Sequence, residues 1–313
     1  MPLTSSIPLT SGFIDEAELL AGRLLRVSGW TLDDPHRLLE LQVDGRAIGP
    51  SACFRTYRPD VSAATGNPNR FLGFAQEYIL AAASNASIDL SYNGHSIFSM
   101  KATITVLPDY PDLLGSDRVL GRDLIYSEGP PARIVTPEIL ALALQLPDPI
   151  LDFGCGGCGP LRALLDAGRN VLGIEKSGSL AASGIPEDLR SLVTIYDGSF
   201  PMPFPDASFN SVLATEVIEH VPNYRAAIAD IARVASRAAL FTVPDNSVIP
   251  ICAGKGLIPW HYLTGDHLHF FTQQSLTAAI KPHFEDVQVY RAPQLRIDGL
   301  LTYSNILAMC FKG

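Results

Sequence analysis

The ten residues LDFGCGGCGP, Leu151 to Pro160, decide how most of this chain is read, because they satisfy three patterns at once. Cys155 and Cys158 form a C-x-x-C, while Gly154, Gly156 and Gly159 give the G-x-G-x-x-G of a dinucleotide-binding turn. The third pattern is an acid, Asp152, two residues ahead of Gly154-x-Gly156, which suits a ligand carrying positive charge. Glycines at such a turn let backbone approach a ligand with no Cβ in the way.

Outward from the turn, strand and helix signals alternate. Strands are expected at Ile150 to Phe153, Val171 to Glu175, Val193 to Tyr196, Ser211 to Thr215 and Ala239 to Val243, with helices at Leu161 to Ala167 and Tyr224 to Ala235. Val287 to Tyr290 and Ile306 to Phe311 fit an antiparallel edge pair. Short apolar runs separated by helices predict an α/β fold, a doubly wound and mostly parallel sheet covered on both faces. Thr136-Pro137-Glu138 supplies an N-cap, a first-turn proline and an early acid for a helix, and Thr272 caps another, with Phe271 and Leu276 placed as a hydrophobic staple.

In such a sheet ligands lie beyond the carboxyl ends of the strands, and the first strand-to-helix turn is LDFGCGGCGP. Glu175 ends the next strand, where an acid accepts hydrogen bonds from ribose hydroxyls. Nicotinamide dinucleotide and S-adenosylmethionine both fit so far. Asp152 separates them, since a buried anion beside a pyrophosphate would repel it, whereas an ammonium and a sulfonium are attracted. Asp197-Gly198 ends the third strand, where a carboxylate can accept the adenine amine.

With PFPDASF (203–209) and ATEVIEHV (214–221) in view, residues 135 to 313 resemble the class I S-adenosylmethionine-dependent methyltransferases, in the branch whose fourth strand ends in E-V-[IL]-E-H-V. DFGCG, Glu175, YDG, PFPDASF, ATEVIEHV and DHLHFFT (266–272) occur in the family's order. The resemblance implies a seven-stranded sheet of order 3-2-1-4-5-7-6 and cofactor contacts at Asp152, Gly154, Gly156, Glu175 and Asp197. Cys155, Gly157, Lys176, Gly198 and Glu216 complete the expected cofactor set. One departure stands out: the family's third glycine falls on Cys158, with Gly159 one place late, so either the turn carries an extra residue or Cys158 takes the glycine's place.

Transfer of a methyl group to a hydroxyl requires a proton acceptor. His220, just past the fourth strand, is the first candidate, with Glu219 or Glu216 as its orienter. Glu216, Glu219 and His220 stand at i, i+3 and i+4, which would place them on one side if the chain turns helical after Thr215. This E-x-x-E-H with a downstream imidazole such as His267 is similar to the metal-binding set of the small-RNA 3′-terminal 2′-O-methyltransferases, so a divalent metal on Glu216, Glu219, His220 and His267 is the alternative. E-V-I-E-H-V is widespread in metal-free small-molecule methyltransferases, and the metal-free reading is preferred. His261, His267 and His269 lie among aromatics and are read as satisfied structural histidines. The insertion from Pro244 to Asp266, rich in apolar residues, is placed to wall an acceptor pocket for a partly apolar or ring-shaped molecule.

The first hundred residues read differently. Leu39, Leu41 and Val43 alternate with polar residues up to Asp44-Gly45, and Ile88, Leu90 and Tyr92 do so up to Asn93-Gly94; both dipeptides suit type I′ hairpins. A small all-β sandwich over 1–108 is expected, followed by a Pro, Asp and Gly-rich linker over 109–135 and the methyltransferase domain over 136–313. RVSGWTLDD, LELQVDGRAIG, FRTYRPDV and FLGFAQEYIL, spread over residues 24 to 80, look like the small β modules beside bacterial glycosyltransferases. That resemblance implies a sugar, glycan or glycosylated small molecule as acceptor; a docking module forming a homodimer is the other reading.

The totals narrow the partners. With 32 acidic against 23 basic residues the formal charge is −9, which disfavours nucleic acid and anionic membranes. No apolar run approaches the roughly 20 residues of a membrane span, and MPLTSSIPLTSG lacks the features of a secretory signal. Five scattered cysteines suit reduced thiols, and a cytoplasmic location is expected. No second C-x-x-C pairs with Cys155 and Cys158 to complete a zinc site. The chain is thus read as a methyltransferase acting on a small-molecule hydroxyl. The alternatives are a metal-dependent RNA 2′-O-methyltransferase and a non-catalytic cofactor-binding scaffold.

Overall fold

Alternating burial along β4 (Leu39–Val43), with Leu39 and Leu41 inside and Glu40 and Gln42 outside, is the period-two pattern of a strand with one buried face. The computed structural model describes residues 7–9, 11–20, 24–34, 39–81, 83–92, 94–104, 133–179, 182, 184–249, 252, 259–262, 266–297 and 300–313. These divide into two compact units. The first comprises Met1–Gly121, Val248–Ile258 and Arg296–Leu301; the second comprises Arg122–Ser247, Pro259–Leu295 and Thr302–Gly313. The expected linker at 109–135 lies outside the described residues as far as 132, and 133–136 are coil.

In the first unit, β1 (Ile7–Leu9), β2 (Gly12–Leu20) and β3 (Leu24–Thr31) run side by side, followed by β7 (Gly73–Ile79) and β6 (Ala52–Thr56). A second sheet places β5 (Arg46–Ile48), β4, β8 (Ala83–Tyr92) and β9 (His95–Ile104) in that order. The ladders β2–β3, β3–β7, β4–β8 and β8–β9 are antiparallel, and Ile14, Val27, Phe74 and Tyr78 of one sheet share a core with Leu41, Ile88 and Leu90 of the other. Each such side chain contributes about 1.5–3 kcal/mol by leaving water. Asp44 (φ 50°) and Gly45 (φ 75°) both take the positive φ of a type I′ turn; Asn93 lies outside the described residues. The unit is not all β. Helix α1 (Pro59–Thr65) starts on a proline and an acid and ends at Gly66 in the left-handed region, signals that the strand reading passed over.

In the second unit, α2 (Pro137–Ala143) is capped by Thr136, whose hydroxyl accepts from the Ile139 N–H. The sheet order is β12 (Val193–Tyr196), β11 (Val171–Lys176), β10 (Ile150–Phe153), β13 (Phe209–Thr215), β14 (Ala235–Pro244), β16 (Leu300–Phe311), β15 (Asp286–Ile297). The ladders among β10 to β14 are parallel, and β16 joins β14 antiparallel. Strand β10 is buried at every residue because it lies in the middle, with α3 (Gly159–Asp166) and α4 (Tyr224–Val234) among the helices of this unit. From β10 the chain passes to β11 on one side, and its other neighbour is β13, which makes the carboxyl end of β10 the switch point of the sheet.

Helix α5 (Gln273–Ile280) begins with a reciprocal capping box. The Thr272 hydroxyl accepts from the Ser275 N–H (3.3 Å), and the Ser275 hydroxyl accepts from the Thr272 N–H (2.9 Å). Thr272→Ala should therefore lower stability by about 1 kcal/mol, read as a lower denaturant midpoint with an unchanged slope. An unchanged midpoint would show the cap contributes nothing.

Candidate active site

The sequence-predicted site residues gather at or just past the carboxyl ends of the parallel strands: Asp152 in β10, Glu175 in β11, Asp197 after β12, and Glu216, Glu219 and His220 after β13. The turn after β10 is held from below by the Gly154 and Cys155 N–H groups, which donate to the Ile174 carbonyl at 2.9 and 3.2 Å. Gly154 (φ 68°) lies against Val217, where an added Cβ would come 2.2 Å from Cγ2. Cys158 (φ 62°, ψ 26°) takes the left-handed position at the start of α3, and Gly159 is the first helical residue. A cysteine thus stands in a left-handed position where a glycine would cost less.

The acids differ sharply in surroundings. Glu175 is built into the turn: Oε2 accepts the Gly156 N–H (2.9 Å), and Oε1 accepts the Lys176 N–H (3.0 Å) and the Ser179 hydroxyl (3.1 Å). Asp197 is exposed and its carboxyl is lowered by the Ser199 hydroxyl and then the Ser199 N–H. The Lys176 stem runs beside Gly198, 2.9 Å from where a Cβ would stand. Asp152 is fully buried, and neither oxygen has a hydrogen-bond partner among the described residues. Burial, then the neighbouring Cys158 and Glu175, push its carboxyl up to about 8, with the Leu161 amide opposing more weakly.

Past β13 the chain does not become the helix that would put Glu216, Glu219 and His220 on one face. Glu216 sits at φ 51°, and a single 3₁₀ turn spans Ile218–His220. Glu216 instead accepts from the Thr242 hydroxyl (2.7 Å), and burial raises its carboxyl while Thr242 and Asn305 pull it back. Glu219 is fully buried, with neither carboxylate oxygen partnered among the described residues. Burial first, then Glu216 and Asp266, hold it well above the usual carboxylate range.

His220 Nδ1 lies 3.0 Å from the Asp266 carbonyl and 3.4 Å from its Oδ2. A carbonyl only accepts, so Nδ1 carries a proton, and in the neutral ring the lone pair is then on Nε2. The residue that orients His220 is thus Asp266, not Glu219 or Glu216 as the sequence suggested. His267 meets His220 edge to face, rings 4.6 Å apart, and His261 stacks on His267 at 6.3 Å. Burial lowers His261 to about 4. His269 is turned away, its Nε2 on the Val221 carbonyl at 2.9 Å. One potential ligand atom from each of Glu219, His220 and His267 lies within 4.8 Å of the others, and Glu216 is not among them.

Sequence reading missed two contributors. Asp266 enters the sequence reading only as the boundary between the insertion and the histidine-bearing segment. Thr242 is the lone hydroxyl in the apolar strand ALFTV, a signal that would have singled it out. All five cysteines are buried and none forms a disulfide. Within the expected acceptor-pocket insertion, residues 250–251, 253–258 and 263–265 lie outside the described residues.

Residues 151–243 match the family profile described as a methyltransferase domain. Sterol 24-C-methyltransferase of Gibberella zeae is 34% identical over 100 residues, 30% of this chain and 26% of that protein, so the match spans about a quarter of the relative. Similar solved structures include a SAM-dependent methyltransferase from Archaeoglobus fulgidus (16% identity, TM-score 0.39, covering 65% of this chain and 100% of that one). Another is magnesium protoporphyrin IX methyltransferase from Synechocystis PCC 6803 with bound SAM (12% identity, TM-score 0.39, 56% and 77%). Together with the order of strands and motifs, the profile match defines the class: the chain carries a class I S-adenosylmethionine-dependent methyltransferase domain. S-adenosylmethionine is the cofactor of that domain.

Gly154→Ala meets both a left-handed φ and a Val217 methyl, so it should cost about 2 kcal/mol or more. Thermal or denaturant unfolding checks this, and a variant as stable as the parent would show that the turn tolerates a Cβ.

Proposed function

We propose that the protein is an enzyme that methylates a hydroxyl of a sugar, glycan or other small molecule. The observation that carries this reading is the pairing of a partnerless buried Asp152 beneath the glycine turn with Glu175 tied into the same turn. Those residues fit the cofactor: Asp152 can ionise to meet a cationic ligand, Glu175 retains lone pairs for ribose hydroxyls, and Asp197 is open to an adenine amine. When bound, S-adenosylmethionine supplies an electrophilic methyl on a sulfonium leaving group. The chain's part is then positional: it holds the acceptor oxygen in line and takes its proton. His220 Nε2 is the lone pair placed for that proton, with Asp266 fixing the tautomer.

The acceptor class rests on composition and shape. Tyr262 and Phe270 stack in parallel, rings 4.7 Å apart and 5° from coplanar, and Phe270 is partly exposed, a flat face suited to a ring-shaped acceptor. The resemblance of residues 24–80 to modules beside glycosyltransferases supports a sugar-containing acceptor; dimerisation through that module is the other use for it. No helix among the described residues is long and apolar enough to cross a membrane. The RNA alternative draws on the grouping of Glu219, His220 and His267, but the charge of −9 opposes it.

Two outcomes test the reading. A carboxyl raised from 3.8 to about 8 is largely protonated near neutrality, so the free protein loses stability as pH climbs between those values. A cation binds the ionised form better, so cofactor affinity should rise on the order of tenfold as pH increases through that window, with proton release. Calorimetry on Asp152→Asn should show that rise largely gone; an identical pH dependence in the variant would remove Asp152 from the site.

For the acceptor half, His220→Ala should leave S-adenosylmethionine affinity near the parent value and lower turnover about a hundredfold or more. Release of S-adenosylhomocysteine with a panel of hydroxylated acceptors reads this out. Full turnover in the variant would exclude His220, and cofactor binding with no product from any acceptor would favour a scaffold.

A further inference from the structure

We propose that Cys155 and Cys158 are a redox modification site, a dithiol that a small hydroperoxide converts reversibly to a disulfide within the glycine turn. The Cys158 N–H donates to the Cys155 carbonyl at 2.7 Å, which closes a four-residue turn. Such a turn brings its end Cα atoms within about 7 Å, and a disulfide spans about 4.4–6.8 Å between the same atoms. The side chains already meet, since the two thiols are hydrogen-bonded to each other. Both are buried, which restricts the oxidant to a small molecule.

Cys158 is held at φ 62° and ψ 26°, a costly conformation for any residue but glycine, and backbone strain of that kind points to a use for the side chain. The bond from the Cys155 thiol lowers Cys158, and Arg162 adds to it against burial and Glu175. The same bond, and then burial, raises Cys155. One sulfur is therefore the nucleophile and the other keeps its proton until the second step. Cys53, Cys252 and Cys310 differ, because burial comes first for each and raises it.

The Cys158 thiolate attacks one peroxide oxygen, the O–O bond breaks, and a sulfenic acid forms as hydroxide leaves. The Cys155 sulfur then attacks the Cys158 sulfur, the S–O bond breaks, and water leaves with the Cys155 proton. Two thiols are oxidised and one peroxide is reduced. Contraction to a bond of about 2.05 Å falls on Gly156 and Gly157, which have no side chains to resist it, so the backbone that carries the Gly156 N–H to Glu175 shifts. The effect on the cofactor rests on the reading of this turn as its seat; by linkage, bound S-adenosylmethionine then favours the dithiol.

The test uses the full chain, reduced and free of cofactor, treated with hydrogen peroxide and mapped by peptide mass spectrometry. Loss of two hydrogens across Cys155 and Cys158, reversed by dithiothreitol, is expected. Calorimetry should show the oxidised chain binding S-adenosylmethionine about tenfold or more weakly, with recovery on reduction. Cys158→Gly puts in the left-handed position the residue that suits it, so it should fold, as a thermal melt checks, and its affinity should be the same before and after peroxide. No disulfide, a disulfide to another cysteine, unchanged affinity in the oxidised parent, or an equal peroxide response in Cys158→Gly overturns the proposal. A reduced chain that does not bind S-adenosylmethionine fails the cofactor reading instead, and the mass map still decides whether the disulfide forms.

Discussion

The bond from the Gly156 N–H to Glu175 Oε2, 2.9 Å long, ties the glycine turn after β10 to the end of β11, and the geometry of the candidate site follows from it. The same carboxylate takes the Lys176 N–H and the Ser179 hydroxyl, so one side chain organises the mouth of two adjacent strands. Beneath it, the Gly154 and Cys155 amides share the Ile174 carbonyl, which extends the parallel ladder by one more step before the chain bends into α3. A turn held at both ends in this way presents its backbone to a ligand without reorganising, which lowers the ordering cost of binding.

The frame around this turn consists of buried apolar strands, and it explains why the acids in it are unusual. Leu151, Val212, Leu213, Ala239 and Leu240 leave no water along the middle of the sheet, so any carboxyl placed there is held toward its neutral form. Asp197 escapes because it is exposed and bonded to Ser199. Asp152, Glu216 and Glu219 do not, and each has a different answer: Glu216 takes a hydroxyl from Thr242, whereas Asp152 and Glu219 have no such partner among the described residues.

Periodicity and capping made the second unit legible, because the elements there follow local rules. Ile150–Phe153 and Val193–Tyr196 fall where the apolar runs placed them, and Thr136 and Thr272 cap their helices through the expected hydroxyls. Side-chain partnerships across long separations were not legible. Asp266 and His220 are 46 residues apart in sequence, and Glu216 and Thr242 are 26 apart, so no spacing rule connects them. The conditional helix after Thr215 failed for a local reason: Glu216 in the left-handed region breaks the i, i+3, i+4 relation that put three side chains on one face. In the first unit the cross-strand pair Arg26 and Glu77, buried and bonded through Nε at 2.8 Å, was equally invisible, since neither charge disturbs the strand pattern around it.

The two partnerless carboxyls are not interchangeable, and their neighbours show why. Around Asp152 stand thiols, Glu175 and the thin backbone of the turn, groups that offer no lone-pair nitrogen. Around Glu219 stand two imidazoles and the Asp266 backbone that orients one of them, a donor set with nitrogen and oxygen converging from separate segments. Two carboxyls held toward the neutral form thus stand within β10 and just past β13, and their neighbours distinguish them: thiols and turn backbone for Asp152, imidazoles for Glu219.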